Sequence, residues 1–588
     1  MQLAFLDWII IFAYFAVVLF IGLLYVKRAG KGIDEFFVSG RSLPWWLLGT
    51  SMVATTFSTD TPNLVTDIVR NNGVSGNWVW WPFLITGMLT VFFYAKLWRR
   101  SRVLTDMGFY ELRYSGKPAS FLRGFRAVYL GFFFNIMIMA SVTLAAIKIA
   151  GVLLGLDRYS TVMVCAAITA IYSATSGLWG VVVTDLLLFV VAMIGSVLAA
   201  YYSLNHPDVG GLSGLLSNPQ LAGRLSFFPD FSDWSTALAI FIIPLAVQWW
   251  STWYPGAEPG GGGYIAQRML AAKDEKNSVL ATLWFNVAHY GIRPWPWILV
   301  ALSSLIVYPT LESIQQAFPN VDPSIIGHDL GYPAMLVFLP TGLLGLVIVS
   351  LAAAYMSTIS THLNWGSSYL VDDLYRRFIK KEAPDQHYVM MARISTVILV
   401  VFAGMLSLWL ENALQAFQIM LQIGAGTGLI FILRWFWWRI SAWSEISAMT
   451  VSFAVALYFQ FIHQRLGFEP LDPSLNLVIG VVITTAAWVV VTFLTPPADM
   501  ATLVSFYDKI RPLGRGWEKV VGPRAREKDQ NLTASLLCWF LGCAVVYFAI
   551  FGVGYLLYGL ISAGLLLLAG SVIAGGFILK LLPRVGFR

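Results

Sequence analysis

Ser51-Met-Val-Ala-Thr-Thr-Phe-Ser-Thr-Asp-Thr-Pro62 lies in the middle of an apolar stretch, and its reading decides the fold. Hydroxyls and a carboxylate gather before Pro62, a residue that removes a helix hydrogen bond. In lipid every freed backbone group must find a partner inside the protein, so an interruption here is costly. A second one follows, where Gln248-Trp-Trp-Ser-Thr-Trp-Tyr254 runs into Pro255-Gly-Ala-Glu-Pro-Gly-Gly-Gly-Gly-Tyr264. No continuous helix survives that glycine run.

The surroundings of both interruptions are strongly apolar. Of 588 residues, 58% are hydrophobic and 12% charged, against about 45–50% apolar in soluble domains. A soluble enzyme and a disordered scaffold are excluded. A spanning helix needs about 20 mainly apolar residues, and such stretches recur at Leu6–Val26, Trp45–Val69, Asn77–Leu97, Gly124–Leu156, Ser160–Ser176, Leu178–Ser203 and Ser235–Tyr254. They continue at Ser278–Tyr308, Phe338–Leu370, Val389–Leu410, Asn412–Phe436, Ala442–His463, Ser474–Thr495, Thr533–Gly559 and Leu560–Leu582. The expectation is an all-α polytopic membrane protein of about fifteen transmembrane helices. Met1 to Asp7 lacks a basic leader, so the first span reads as a retained helix. Cys165, Cys538 and Cys543 fall inside apolar helices and read as small core residues.

The formal net charge of +7 is explained by topology. Cytoplasmic loops hold an excess of Lys and Arg, and the bases of this chain concentrate on every second loop. The exceptions are Arg70, Arg158, Arg224 and Arg465 on the other side, with Lys148 and Arg293 inside spans. The N-terminus is therefore expected outside and the C-terminus inside, in a multi-pass plasma (inner) membrane protein. Neither a nucleic acid nor an obligate protein partner is implied.

The two interrupted spans are five apart, which places them in opposite orientations across the membrane. That is the mark of two inverted five-helix repeats with a binding site where the broken helices meet. The expected organisation is a peripheral helix and first cytoplasmic loop over residues 1–44, a first repeat over 45–203, and an extracellular loop over 204–234. A second repeat follows over 235–440, then peripheral helices over 441–588 with a basic cytoplasmic loop at 496–530. A proline kink and a plain loop remain the alternative reading of the interruptions.

Span nine carries Ala354-Tyr-Met-Ser-Thr-Ile-Ser-Thr361. Ser357, Ser360 and Thr361 share a face, and Thr358 opens the neighbouring one. Such hydroxyls, joined by carbonyls of a broken helix, suit a sodium ion; they also bond back to their own helix or glue helices together. Asp185, eight residues into an apolar span, is costly unless it serves a function.

Glu35-Phe-Phe-Val-Ser-Gly-Arg-Ser-Leu-Pro-Trp-Trp46, the Ala354-x-x-Ser357-Thr358 step, Tyr172 to Asp185 and Gln267-Arg-Met-Leu-Ala-Ala272 resemble the sodium/solute symporter family, which includes sodium-coupled galactose, proline and sialic-acid carriers. The likeness runs from roughly Leu6 to Phe436. It implies a LeuT-type core of two inverted five-helix repeats. It also implies a main sodium site at the carbonyls of Ala54, Phe57 and Ala354 with the hydroxyls of Ser357 and Thr358. A second sodium is implied at Asp185, Ser360 and Thr361. Sodium is the only metal ion expected, as the coupling ion, with no other cofactor.

Side chains near the breaks are the substrate candidates: Thr59 and Asp60 at the first, Trp253 and Tyr264 at the second, and Asn286, His289 and Arg293 on one face of span eight. Tyr264 matches the family tyrosine that closes the inner side of the galactose site, while Gly262 and Gly263 replace the asparagine and glutamine usual there. An arginine near the midplane needs an anion, a water-filled cavity or a carboxylate. Asp60, Glu258 or a carboxylate on the substrate would serve Arg293; Lys148 poses the same question. The leading expectation is sodium-coupled import of a small polar solute by alternating access, a sugar or carboxylate-bearing sugar derivative, and no enzymatic activity. An amino-acid or other organic-anion symporter is the nearest alternative. A membrane-embedded transferase using His289 and Asp60 is the rival from another class.

Overall fold

The computed structural model describes residues 3–29, 38–173, 178–252, 258–526 and 532–587. Each expected span has a helix; the first break falls where the sequence places it, while the helix of the second broken span ends at Ala246 and not at Tyr254, and Trp253 to Ala257 lie outside the described residues. The first is α1 (Phe5–Ala29). The broken second span follows as α2 (Trp45–Thr56) and α3 (Asp60–Asn72). Then come α4 (Val74–Ser101), α5 (Gly116–Leu154), α6 (Arg158–Ser173) and α7 (Leu178–Leu204). The second broken span starts with α8 (Trp234–Ala246) and resumes as α9 (Gly263–Ala271).

The remaining principal helices are α10 (Glu275–Val307), α11 (Leu343–Ile379), α12 (Asp385–Ser407), α13 (Ala413–Gly424) and α14 (Gly428–Phe436). They end with α15 (Ala442–Ile462), α16 (Pro473–Leu494), α17 (Leu532–Leu557) and α18 (Ile561–Leu581). Among the described residues, ten helices are long and apolar enough to cross a membrane, or eleven if one bent pair counts as a span. The remaining expected spans are broken, short or partly described helices, among them Trp234–Ala246 and the bent pair Phe417–Gly424 and Gly428–Phe436. One break was not foreseen: α13 and α14 meet at 45° across Ala425-Gly-Thr427, where Gly426 has φ +78°.

The architecture serves the breaks. α7 packs against α2, α10 and α11, so these helices enclose both halves of the first broken span. Leu43, just before α2, forms a parallel bridge with Ala272, just after α9, joining the start of the first broken span to the end of the second. Arg99 locks that junction by donating to the Ala272 carbonyl at 2.6 Å. At the periphery, Asp7 of α1 accepts the Gly342 and Gly345 N–H groups at 2.7 and 2.8 Å. A carboxylate there meets unpaired donors and the positive end of α11. α17 and α18 form a hairpin that closes over Gly552 and Gly564, small residues that let two helix backbones approach.

Candidate functional site

The first break solves its backbone problem with side chains from other helices. Phe57 is extended, with φ −89° and ψ 94°, and its N–H reaches the carbonyls of Val53 and Ala54 at 2.9 and 3.1 Å. The Val53 carbonyl also accepts from Arg293 at 3.2 Å, and the Thr55 carbonyl accepts from the Thr358 hydroxyl at 2.9 Å. Pro62 stands in the first turn of α3, where a missing N–H costs little.

A central cavity of about 60 Å³ opens beside this break. Ser58, Asp60 and Thr61 line it from the break, Trp80 from α4, Ser141 from α5, His289 from α10, and Phe417 and Met420 from α13. Asp60 accepts a short bond from Ser58 and a longer one from Ser141 at 3.4 Å. Among the described lining residues it is the one charged side chain. Trp80 sets its ring edge-on to His289, with centroids 5.9 Å apart.

The remaining candidate substrate residues divide. Thr59 turns away and donates to the Val142 carbonyl at 2.9 Å. Asn286 bonds the Thr282 carbonyl at 2.8 Å and lies against Gly87, so it faces α4 and not the cavity. Tyr264 is buried beneath, its ring 6.0 Å from that of His362. Trp253 lies outside the described residues. Arg293 is fully buried behind the cavity lining, bonded to His289 and the Val53 carbonyl, with its guanidinium over the rings of Phe57 and Trp297.

The proposed carboxylate partners of Arg293 are engaged elsewhere. Glu258 bonds Arg126 at 2.9 Å and stands 3.5 Å from Arg434, while Asp60 is held by Ser58 and Ser141. Arg293 reaches one carbonyl at the C-terminal end of α2, that of Val53, a favourable place for a cation, together with the carbonyl and ring of His289. Lys148 has a carboxylate: Asp329 receives it at 2.6 and 2.7 Å. His289 and Asp60 share the cavity, but no hydrogen bond joins them, so the transferase reading lacks its base–partner contact.

The hydroxyl ladder of α11 engages both the broken helix and Asp185. Ser357 donates to Asp185 at 2.5 Å, and Ser51 donates to the other carboxylate oxygen at 2.6 Å. Ser360 bonds back to the Ser357 carbonyl at 3.1 Å. Thr361 accepts from Arg268 at 3.5 Å. Ala54 and Ala354 are fully buried beside this ladder, and Phe57 packs on Trp297 at 5.3 Å. Ser357 thus touches the carboxylate of the expected second sodium site while belonging to the expected main one. Ser51 and Arg268 had no role assigned from sequence, although both stand in quoted stretches. The available signal was Arg268 itself, a cation four residues after Tyr264.

A sequence profile of the sodium:solute symporter family matches residues 36–452. The chain belongs to that family. This symporter is 25% identical over 482 residues to the sodium/glucose cotransporter of Vibrio parahaemolyticus, covering 79% of this chain and 87% of that protein. It is 24% identical over 471 residues to the sodium/sialic acid symporter of Proteus mirabilis, covering 77% and 89%. It is 25% identical over 498 residues to human sodium/myo-inositol cotransporter 2, covering 78% and 70%. A solved structure, the substrate-bound outward-open state of a Na+-coupled sialic acid symporter, aligns with TM-score 0.66 and 23% identity, covering 85% of this chain and 99% of that one. The fold is the LeuT-type inverted-repeat core, carried by a family of membrane transporters with sodium as coupling ion.

Proposed function

We propose that this symporter imports a neutral, hydroxyl-rich solute, a sugar or polyol, with sodium across the plasma (inner) membrane. The supporting observation is the charge of the cavity lining: Asp60 is its one charged side chain among the described residues, while Arg293 stands behind the lining, held by His289 and the Val53 carbonyl. A carboxylate accepts from sugar hydroxyls and repels an anionic substrate, and Trp80 offers an apolar face. The relatives named for glucose and myo-inositol fit this choice better than the one named for sialic acid. It narrows the sequence expectation, which left a carboxylate-bearing sugar open.

The sodium sites in this reading use the carbonyls of Ala54, Phe57 and Ala354 with Ser357 and Thr358, then Asp185 with Ser360 and Thr361. Their support is that neighbouring hydroxyls of α11 reach both groups, Thr358 the Thr55 carbonyl and Ser357 the Asp185 carboxylate. The repeats run over 45–203 and 235–440, with the N-terminus outside and the C-terminus inside; the opposed broken helices and the distribution of bases support this.

The test is uptake into vesicles containing the purified protein, under an inward sodium gradient or equal potassium. D-glucose, myo-inositol, N-acetylneuraminate and proline are compared. Accumulation of the sugar or polyol only with sodium is expected. Accumulation of the anion or the amino acid alone would overturn the neutral-solute reading, and sodium-independent accumulation would overturn the coupling.

A further inference from the structure

A buried arginine stands inside the oxygen cluster expected to hold sodium. Arg268 and Asp185 are both essentially without solvent exposure. The guanidinium bonds Gln267 at 2.9 Å, Ser51 at 3.3 Å, and Thr55 and Thr361 at 3.5 Å each. One of its nitrogens is 4.0 Å from the Asp185 carboxylate. Its contacts with Ser51, Thr55, Thr361 and Asp185 are all longer than the one with Gln267. Asp185, in contrast, is gripped tightly by Ser51 and Ser357. The guanidinium therefore touches the same hydroxyls and carboxylate that a cation would use, and does so loosely.

The charge balance gives this arrangement meaning. Asp185 with Arg268 is neutral. Asp185 with Arg268 and a sodium ion carries a net positive charge in a buried place, and Asp185 alone carries a net negative one. Buried charge is tolerated when it is paired. Arg268 sits on α9, the inner half of the second broken span, whereas Asp185 and Thr361 sit on α7 and α11. A competition between Arg268 and sodium thus links cation occupancy to the placement of a half-helix.

We propose that Arg268 is a tethered counter-cation for Asp185: it neutralises the carboxylate when sodium is absent and withdraws as sodium binds. The proposal rests on the assignment of a sodium site to Asp185, but not on the identity of the solute. Arg268 then sets sodium affinity and enables the empty carrier to reorient without a lone buried charge.

The experiment is a sodium titration of the thermal unfolding midpoint, with choline replacing sodium, for the wild-type protein, Arg268→Gln, Arg268→Lys, Asp185→Asn and Asp185→Asn/Arg268→Gln. No solute is added. Coupling between two ligands typically amounts to roughly 5–150-fold, so Arg268→Gln should need at least about fivefold less sodium for its half-maximal shift. Arg268→Lys keeps the charge and should stay within about twofold of wild type. In the Asp185→Asn background, Arg268→Gln should change nothing. General damage lowers sodium affinity, so a gain separates competition from a structural role. An unchanged or raised sodium requirement in Arg268→Gln overturns the proposal. If that variant does not fold, Arg268→Lys decides: a sodium requirement more than about fivefold above or below wild type overturns it. A wild-type protein with no sodium response, or an Asp185→Asn protein with the wild-type response, would instead remove the sodium-site assignment beneath it.

Discussion

The Lys148–Asp329 pair supplies the sharpest stability prediction. Its Nζ lies 2.6 and 2.7 Å from the two carboxylate oxygens, and the side chains are 0% and 1% exposed. Removing one partner of a buried pair costs about 3–5 kcal/mol, because the survivor keeps its desolvation penalty without its compensation. Complete burial and contact with both oxygens put Lys148→Met at the upper end of that range. Replacing both partners, as Lys148→Met with Asp329→Asn, leaves no unpaired charge and should cost about 1 kcal/mol or less. The two substitutions together should therefore hurt less than Lys148→Met alone, by about 4 kcal/mol. The assay is tryptophan-fluorescence melting in detergent. At about 2 °C per kcal/mol, the ratio for larger domains, Lys148→Met should lower the midpoint by about 10 °C and the double variant by about 2 °C or less. A single variant that melts within a degree of wild type, or a double variant that loses the sum of both singles, would refute the argument.

Asp60→Asn keeps the shape of the cavity but removes its negative charge, and should raise the sugar concentration for half-maximal uptake about tenfold while leaving sodium-induced stabilisation intact. Loss of both would place Asp60 in the sodium machinery. Ser357→Ala deletes a 2.5 Å bond to Asp185 and should raise the half-saturating sodium concentration by about tenfold, read from sodium-dependent uptake; an unaltered value would free Ser357 from ion binding. Gly428→Ala would place a methyl 1.5 Å from the Trp250 carbonyl oxygen, and overpacking of this kind costs about 1–3 kcal/mol or more. Wild-type melting of that variant would show that the contact relaxes freely.

The breaks were legible because proline, clustered hydroxyls and glycine runs act through local backbone chemistry. Span ends were legible through hydropathy and the placement of bases. Pairing was not. Glu258 could be singled out as a candidate partner, yet its choice of Arg126 and Arg434 over Arg293 depends on how distant helices approach. The partner of Lys148 is 181 residues away, beyond any periodicity. The bend between α13 and α14 was concealed because Gly424, Gly426 and Gly428 stand in a stretch whose average apolarity reads as one straight helix. Their spacing was the available signal, and only the close approach of another backbone explains it.

That approach has a mechanical consequence. Gly424 faces the Thr252 carbonyl and Gly428 faces the Trp250 carbonyl, so α13 and α14 meet the end of α8's span through two glycines, with a side-chain bond between them, Thr427 to Thr252 at 3.2 Å. Elsewhere helices interlock by side chains seated between one another, and relative motion must lift each knob over the next. A seam with two bare positions and one hydroxyl pair has few knobs to lift, so it is built more like a bearing than a clasp. An alanine in it would act as a ratchet tooth, slowing the stroke more than it weakens the joint.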